Sequence, residues 1–167
     1  QAIEISGYDK TNLEETITIE VTGNEIVFYY TKRTDLSYTV KYLEKDTNEV
    51  LSDNKVVNGQ TFKANVTEEA IEIDGYNKVE PTSAEIEITT GTNEATFYYT
   101  KERHLRKTGY YRGRGREKEI STAKEVGNQT FKDVVTEKAI EIDGYNKVAP
   151  TSAEIEITTG TNEATFY

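Results

Sequence analysis

The segment PTSAEIEITTGTNEATFY occupies residues 81–98 and recurs without a change at residues 150–167. The segment AIEIDGYNKV, which precedes it at residues 70–79, recurs in the same way at residues 139–148. Of the 41 positions from 58 to 98, only six differ from their counterparts 69 residues later. A repeat of this length indicates a row of small, similar folded units rather than one continuous core.

A third and more divergent copy opens the chain. AIEISGYDK at residues 2–10 matches AIEIDGYNK, and EIVFYYTKR at residues 25–33 matches EATFYYTKE at residues 94–102. Because half a repeat without a disulfide or metal is too small to bury its own core, we expect this sequence to be an excerpt from a longer array. The sequence predicts three parts: the C-terminal half of a repeat at 1–33, a complete repeat at 34–101 and a third repeat at 102–167.

The composition excludes several classes of function. The 167 residues include no Cys and a single His, His104, which excludes a disulfide framework and a Cys nucleophile and argues against a Ser-His-Asp triad or a multi-His metal site. We therefore expect no enzymatic activity, no metal and no cofactor. The net charge of -10 argues against nucleic-acid binding. No apolar run approaches the roughly 18 residues of a membrane span, so we expect no membrane insertion.

Within the complete repeat, apolar side chains recur at every second position, which is typical of β-strands. Tyr38, Val40 and Tyr42 predict a first strand, the turn residues 46–48 follow, and residues 50–57 predict a second strand. Asn58-Gly59 is a strong hairpin-turn signal.

The second half of the repeat continues this alternation. Ile86 and Ile88 predict one strand, and Ala95, Phe97 and Tyr99 predict the last. Residues 67–70, Thr-Glu-Glu-Ala, give the one helical signal, a Thr cap before an acidic first turn. We expect each unit to be mainly β (α+β), with four to five strands and at most one short helix.

The motifs of the complete repeat resemble a known family. YTVKYLEKDTNEVL (38–51), NGQTF (58–62), IDGYNKV (73–79) and TFYYTK (96–101) are similar to the mucin-binding-protein repeat of surface proteins from Gram-positive bacteria. The resemblance implies tandem small ubiquitin-like β-grasp units on an extracellular protein, attached to the cell wall through a part outside this sequence. It implies no catalytic residue.

The resemblance leads to two hypotheses of function. The first is an adhesion or stalk module that binds mucin-type host glycoproteins weakly and gains strength from multiple contacts. The alternative is a structural spacer or fibre-forming repeat that has no ligand and contacts only neighbouring copies of itself. Ligand binding predicts exposed Tyr side chains grouped in a shallow groove, whereas a spacer predicts Tyr side chains buried where repeats meet.

Aromatic side chains are the candidate glycan contacts, because a Tyr ring offers a flat apolar face and a hydroxyl. In the pairs Tyr29-Tyr30 and Tyr98-Tyr99, neighbours on a strand point to opposite faces, so one of each pair is expected to be core and the other outward. The competing interpretation is that the outward rings cover a thin sheet or meet the next repeat. Tyr76 and Tyr145 are expected to fill the core at strand ends.

Residues 101–118, KERHLRKTGYYRGRGREK, are anomalous. They contain eight Lys or Arg and two Glu, a charge of +6, so the remaining chain carries -16. Positions 103–126 agree with positions 34–57 at only six of 24 sites. The segment is either a basic loop for sialylated or sulfated glycans or for nucleic acid, or a product of local divergence, of a reading-frame shift or of residue misassignment. The predicted ligand-binding residues are therefore Tyr30, Tyr38, Tyr98, Tyr110, Arg112 and Arg114.

Three further motifs each favour a structural interpretation over a chemical one. Residues 44–49 could offer oxygens to Ca²⁺, but their spacing does not fit an EF-hand. Lys41 and Asn93 could form an isopeptide crosslink, although the third repeat has Tyr110 in place of Lys41. Glu85 and Glu87 share a strand face but have no pocket signal for acid–base chemistry. If residues 103–126 still form strand, hairpin and strand, Leu105, Tyr111 and Ile120 are predicted to point inward.

Overall fold

A computed structural model describes residues 1–115 and 117–167, and these residues form β-strands and loops with no helix. The strands are β1 Tyr8–Lys10, β2 Tyr30–Lys32, β3 Leu36–Glu44, β4 Val50–Gln60, β5 Asn65–Glu69, β6 Tyr76–Lys78, β7 Ser83–Glu87, β8 Glu94–Lys101, β9 Leu105–Tyr111, β10 Lys124–Gln129, β11 Val134–Lys138, β12 Ser152–Glu156 and β13 Glu163–Phe166. The mainly β prediction is confirmed, while the β-grasp assignment stays a prediction.

The complete repeat and the third repeat form their strands in the same order. The complete repeat contains a sheet of order β4-β3-β8-β6 and a separate pair β5-β7. The third repeat contains a sheet of order β10-β9-β13 and a separate pair β11-β12. Each strand from β9 to β13 thus has a counterpart about 69 residues earlier, whereas the counterpart of β6, at residues 145–147, is not a strand.

The alternation predicted from the sequence sets which side chains are buried. Along β3 the buried side chains are Leu36, Tyr38, Val40, Tyr42 and Glu44, with the intervening residues more exposed. Across from them, β8 buries Ala95, Phe97 and Tyr99. Tyr42 and Phe97 stack with ring centroids 6.4 Å apart, and their equivalents Tyr111 and Phe166 stack at 6.1 Å.

The helix predicted at residues 67–70 is wrong, because residues 67–69 lie in strand β5. In β5, Val66 pairs with Ile86 and Glu68 pairs with Ala84 of β7. This pairing points Glu68 inward, where its carboxylate is bound by other side chains. Val66 and Glu68 therefore follow the two-residue alternation of a strand, although the acidic capping pattern predicts a helix at the same place.

The turn predicted at Asn58-Gly59 is also wrong, because both residues lie inside β4. Leu36 pairs with Gln60 and Tyr38 pairs with Val57, so β4 has one residue more than β3 over this stretch. Gly59 has a φ of 73°, which is the left-handed conformation of a β-bulge. The Asn-Gly signal thus marks a bulge instead of a chain reversal.

The anomalous basic segment keeps the strand–hairpin–strand arrangement. β9 and β10 pair antiparallel, and β13 adds to β9 in parallel. Tyr111 is 2% exposed and belongs to the core of the third repeat, against which Leu105 and Ile120 are packed partly buried. The predicted inward residues are confirmed. Arg116, which belongs to the same segment, lies outside the described residues.

The chain divides into two compact units, residues 1–71 with 78–98 and residues 72–77 with 99–167. The division falls within β6 and within β8, so residues 72–77 and 99–101 of the complete repeat belong to the same unit as the third repeat. The predicted boundaries at 33/34 and 101/102 remain predictions. Among the described residues, no helix is long and apolar enough to cross a membrane.

Candidate functional site

A Gly-Tyr turn that contacts a Phe about 55 residues later occurs in both compact units. We call Gly7-Tyr8, Gly75-Tyr76 and Gly144-Tyr145 the Gly-Tyr turns. In the first unit, Tyr8 packs edge-on against Phe62 with ring centroids 5.5 Å apart and an interplanar angle of 76°. In the second unit, Tyr76 packs in the same way against Phe131, at 5.5 Å and 80°. Edge-to-face pairs at this distance are favourable.

The glycine of each of these two turns lies directly under the Phe ring. Gly7 and Gly75 are buried with φ values of 81° and 76°, and a Cβ on either would overlap the ring of Phe62 or Phe131. Glycine is therefore required at both positions for two reasons: an L side chain avoids this φ, and the ring occupies the space that a Cβ would need. We call this arrangement of Gly-Tyr turn and following Phe the junction.

Backbone hydrogen bonds hold each junction in the same pattern. In the second unit, the Glu102 amide donates to the Gly75 carbonyl at 2.8 Å, and the Phe131 amide donates to the Glu102 carbonyl at 2.9 Å. The first unit repeats both bonds through Arg33, at 3.0 and 2.9 Å. The residue that joins one repeat to the next is thus bonded on both sides, so the connection is part of the fold rather than a free linker.

A second candidate site is an open basic cleft in the third repeat. Its volume is about 470 Å³, and its lining includes Arg112, Arg114, Lys118, Ile120, Tyr145 and Tyr167. The hairpin that carries the cations is closed by the Gly113 amide, which donates to the Lys118 carbonyl at 2.9 Å. The cleft therefore combines positive charge with two Tyr rings in a chain that is otherwise strongly acidic.

Arg112 is the most constrained of these cations. Its guanidinium carbon lies 5.5 Å from the centre of the Tyr110 ring, and its buried Nε has no hydrogen-bond partner among the described residues. The Tyr110 hydroxyl donates to Glu163 at 3.2 Å, and the negative charge of Glu163 raises the pKa of Tyr110 above its usual value. The other N–H groups of a guanidinium can bind a carboxylate or sulfate through paired hydrogen bonds.

The structure does not bring the six predicted ligand residues together. Arg112 and Arg114 share the cleft, and Tyr110 lies next to Arg112. Tyr98 is 39% exposed on its own strand while Tyr99 is fully buried, so that pair has one outward and one inward ring as predicted. Tyr30 is half-buried and donates its hydroxyl to the Ile3 carbonyl at 2.9 Å.

Two Tyr side chains do not have the roles that the sequence predicts for them as a ligand contact (Tyr38) and as a core residue (Tyr145). Tyr38 is 7% exposed and donates to Glu68 at 2.5 Å, so its ring is a core element and offers no face to a ligand. The sequence predicts that Tyr145 fills the core as Tyr76 does, and that prediction is wrong. Tyr76 is 9% exposed but Tyr145 is 54% exposed, because no Phe covers its turn among the described residues.

A buried carboxylate in each repeat is not evident from the sequence. Glu68 accepts two hydrogen bonds from Lys55, at 2.8 and 2.9 Å, in addition to the Tyr38 bond. Burial alone would raise the pKa of Glu68, but the bonds from Lys55 and Tyr38 outweigh it and lower that pKa below the usual value. The one sequence signal is Lys55, whose counterpart Lys124 is retained in a segment that has otherwise diverged.

The third repeat keeps this carboxylate and exchanges one of its partners. Glu137 pairs with Lys124 at 2.7 Å and with Lys107, which stands at the position of Tyr38, at 2.9 Å. Both Glu137 and Lys107 are buried. Burial again acts to raise the pKa of Glu137, and the two lysines reverse the effect and lower it. The cluster faces the core, so it stabilises the fold instead of forming an acid–base site.

The remaining motifs have structural roles. Lys41 pairs with Glu94 at 2.8 Å, and the Asn93 amide donates to the carbonyls of Ser37 and Thr89 at 3.0 and 2.9 Å, so these two groups are engaged separately. Asn162 repeats the bonds of Asn93. The described residues contain no group of three His, Cys, Asp or Glu placed to hold a metal. Comparison with protein-family models and with curated proteins finds no match to this chain.

Proposed function

We propose that this chain is a non-enzymatic stalk segment of a bacterial cell-surface protein, in which repeats of the mucin-binding-protein type are joined in series. The observation that carries the proposal is the junction, which occurs twice with the same Gly, Tyr and Phe, the same ring geometry and the same pattern of backbone hydrogen bonds. A stalk needs ordered connections that are repeated along its length, since flexible linkers would let the units collapse on one another.

The charge and composition support an extracellular stalk. The chain has no Cys or Met, so it contains no sulfur that oxidants outside a cell could modify. Its net charge of -10 keeps a long row of units soluble and discourages lateral association.

Limited proteolysis tests the proposal, because trypsin sites lie at the connections. Lys101 ends β8, and Arg103 follows Glu102, the residue that is bonded to Gly75 and Phe131. We expect cleavage after Lys101 and Arg103 in the native chain to be at least about 100-fold slower than in the urea-unfolded chain, since it requires local opening of the junction. The proposal is refuted if the native and unfolded chains are cleaved at these sites at similar rates.

A second candidate function, binding of acidic glycans on mucin-type glycoproteins, is favoured by the basic cleft. Arg112 shares the cleft with Arg114, Lys118 and two Tyr rings. Guanidinium groups bind carboxylates and sulfates through paired hydrogen bonds, while a Tyr ring packs against the apolar face of a sugar. Weak single sites on a repeated chain would give useful strength only through multiple contacts.

Binding to immobilised mucin, before and after enzymatic removal of sialic acid and sulfate, tests this second candidate. The double variant Arg112→Ser with Arg114→Ser should bind about tenfold or more weakly, as expected for the loss of charge-assisted hydrogen bonds. The control is Arg103→Ser with Arg106→Ser, which removes the same charge from two exposed arginines outside the cleft. Equal loss in both variants would indicate non-specific charge attraction and would refute a site.

A further inference from the structure

The third Gly-Tyr turn has the same sequence as the second, but no Phe ring covers it among the described residues. IDGYNKV is identical at residues 73–79 and 142–148. Gly75 is buried under Phe131, whereas Gly144 is exposed and, among the described residues, no atom lies within 4 Å of a Cβ built on it. The φ values of the two glycines, 76° and 81°, are nearly the same, so the turn is already in the conformation that the junction uses.

The segment after the turn also lacks its strand partner. In the first unit, β1 follows the Gly-Tyr turn and pairs with the Tyr-Thr-Lys strand β2, with Tyr8 opposite Lys32 and Lys10 opposite Tyr30. β6 follows the second turn, and in the sheet it lies beside β8, which ends in the same Tyr-Thr-Lys sequence. Residues 145–147 carry the sequence of β6 but do not form a strand.

Exposed apolar and polar groups mark the same place. Tyr145, Tyr167 and Ile140 are 54%, 40% and 36% exposed, and they surround a small cleft that reaches the core residues Tyr111 and Phe166. The Val148 amide donates to the Tyr167 carbonyl at 2.7 Å, as Val79 does to Tyr98 at 2.9 Å. The edge that would continue this pairing is therefore correctly positioned and open.

We propose that residues 144–148 form a docking surface for a further repeat of the same sequence type. The occupant supplies two elements. The first is an extended Tyr-Thr-Lys strand equivalent to residues 99–101, which at both covered turns belongs to the same repeat as the turn and here pairs with residues 145–147. The second is a Phe equivalent to Phe131, which belongs to the repeat that follows, covers Gly144 and packs against Tyr145. Two covered Gly-Tyr turns in this chain, each with both elements, identify the occupant. This inference rests on the proposed stalk function, because it extends the same junction to a third position.

The same surface bears on glycan binding. Tyr145 and Tyr167 line the basic cleft, so a docked repeat would remove the Tyr145 ring from solvent and leave the cations Arg112, Arg114 and Lys118 as contacts. A ligand site that needs Tyr145 and a docked repeat therefore exclude each other at this position.

A chain lengthened after Tyr167 by a copy of residues 99–167 tests the inference. Hydrogen–deuterium exchange, read by mass spectrometry, compares the amides of residues 144–148 in the original and lengthened chains, with residues 75–79 as the internal standard. We expect exchange at 144–148 to slow by at least about tenfold and to approach that of 75–79. A matched lengthened chain, in which the added copy of Phe131 is Ala, should lose most of this protection while its other added amides stay protected.

The inference is overturned if residues 144–148 exchange equally fast in both chains while the added repeat is itself protected. It is also overturned if these residues are already protected in the original chain, since the surface would then be covered by something other than a further repeat. Failure of the stalk proposal is a different result, because it appears as rapid trypsin cleavage after Lys101 and Arg103 in the original chain.

Discussion

The two substitutions Gly75→Ala and Gly144→Ala separate the contribution of the junction from that of backbone strain. Both glycines follow Ile-Asp and precede Tyr-Asn-Lys-Val, both belong to the same compact unit, and both have φ near 80°. An added Cβ costs about 1–2 kcal/mol at this φ in either position. At Gly75 it also overlaps the Phe131 ring, whereas at Gly144 it meets no described atom within 4 Å.

The expected difference follows from this comparison. Displacing a ring to accommodate an extra methyl typically costs about 1–3 kcal/mol, so Gly75→Ala should destabilise the unit by about 2–5 kcal/mol and Gly144→Ala by about 1–2 kcal/mol. Hydrogen–deuterium exchange of residues 127–133 measures the loss locally, and residues 36–44 of the other unit serve as the unaffected reference. Trypsin cleavage after Lys101 should accelerate in Gly75→Ala alone.

The reasoning is refuted if the two variants lose stability equally, to within about 0.5 kcal/mol, the usual effect of a neutral surface substitution. Equal losses would mean that the Phe131 ring moves aside without cost and that the junction contributes nothing beyond the turn itself. A Gly7→Ala variant gives an independent check in the first unit, where the Phe62 ring occupies the same position.

Three further predictions follow from the described contacts. Phe131→Ala should destabilise its unit by about 2 kcal/mol, which is less than the loss of a fully buried Phe because the ring is half-buried. Urea unfolding followed by Tyr fluorescence should show a lower midpoint for this variant than for Tyr98→Ala, which removes an outward ring. Glu137→Gln should cost about 3 kcal/mol, because it leaves Lys107 buried without its ion-pair partner. The folded-state pKa of Glu137 is lowered, so its contribution to stability is present above the unfolded carboxyl pKa and is lost as pH falls through the folded value. Wild type should therefore lose more stability than Glu137→Gln between about pH 6 and pH 3. The control Glu154→Gln, at an exposed position, should lose as much as wild type. Asn162→Ala should lower the stability of its unit by about 2 kcal/mol, because the buried Asn162 amide donates to the Arg106 and Thr158 carbonyls and its oxygen accepts from the Thr158 amide. Thermal unfolding should show the decrease. An unchanged midpoint would contradict the assigned bonds.

Strand positions are accessible from the sequence where one face of the strand is buried. Tyr38, Val40 and Tyr42 alternate with polar residues, and β3 buries the same three side chains. The helix prediction is wrong because a polar residue points inward. Glu68 resembles part of an acidic helix start, yet it is in a strand because Lys55 and Tyr38 bind its carboxylate. Asn58-Gly59 signals a turn because positive φ is common to turns and bulges, and the sequence alone does not distinguish them.

The candidate sites are harder to predict from the sequence than the strands, for a different reason. The basic residues Arg112 and Arg114 stand out through charge alone, and the cleft contains both. The junction could not be predicted, because it joins Gly75 to a Phe that is 56 residues away and lies in the next repeat. Identical sequences at Gly75-Tyr76 and Gly144-Tyr145 have different exposure, and no local rule separates two identical segments.

The two junctions, Gly7-Tyr8 with Phe62 and Gly75-Tyr76 with Phe131, are the same interface at two places in the chain. Phe62 and Phe131 are 69 residues apart, and so are Tyr76 and Tyr145. Gain or loss of one whole period by genetic recombination would consequently leave all internal interfaces complementary. In the proposed stalk, the number of units could therefore change without a compensating mutation, and the reach of the stalk would change in steps of one repeat.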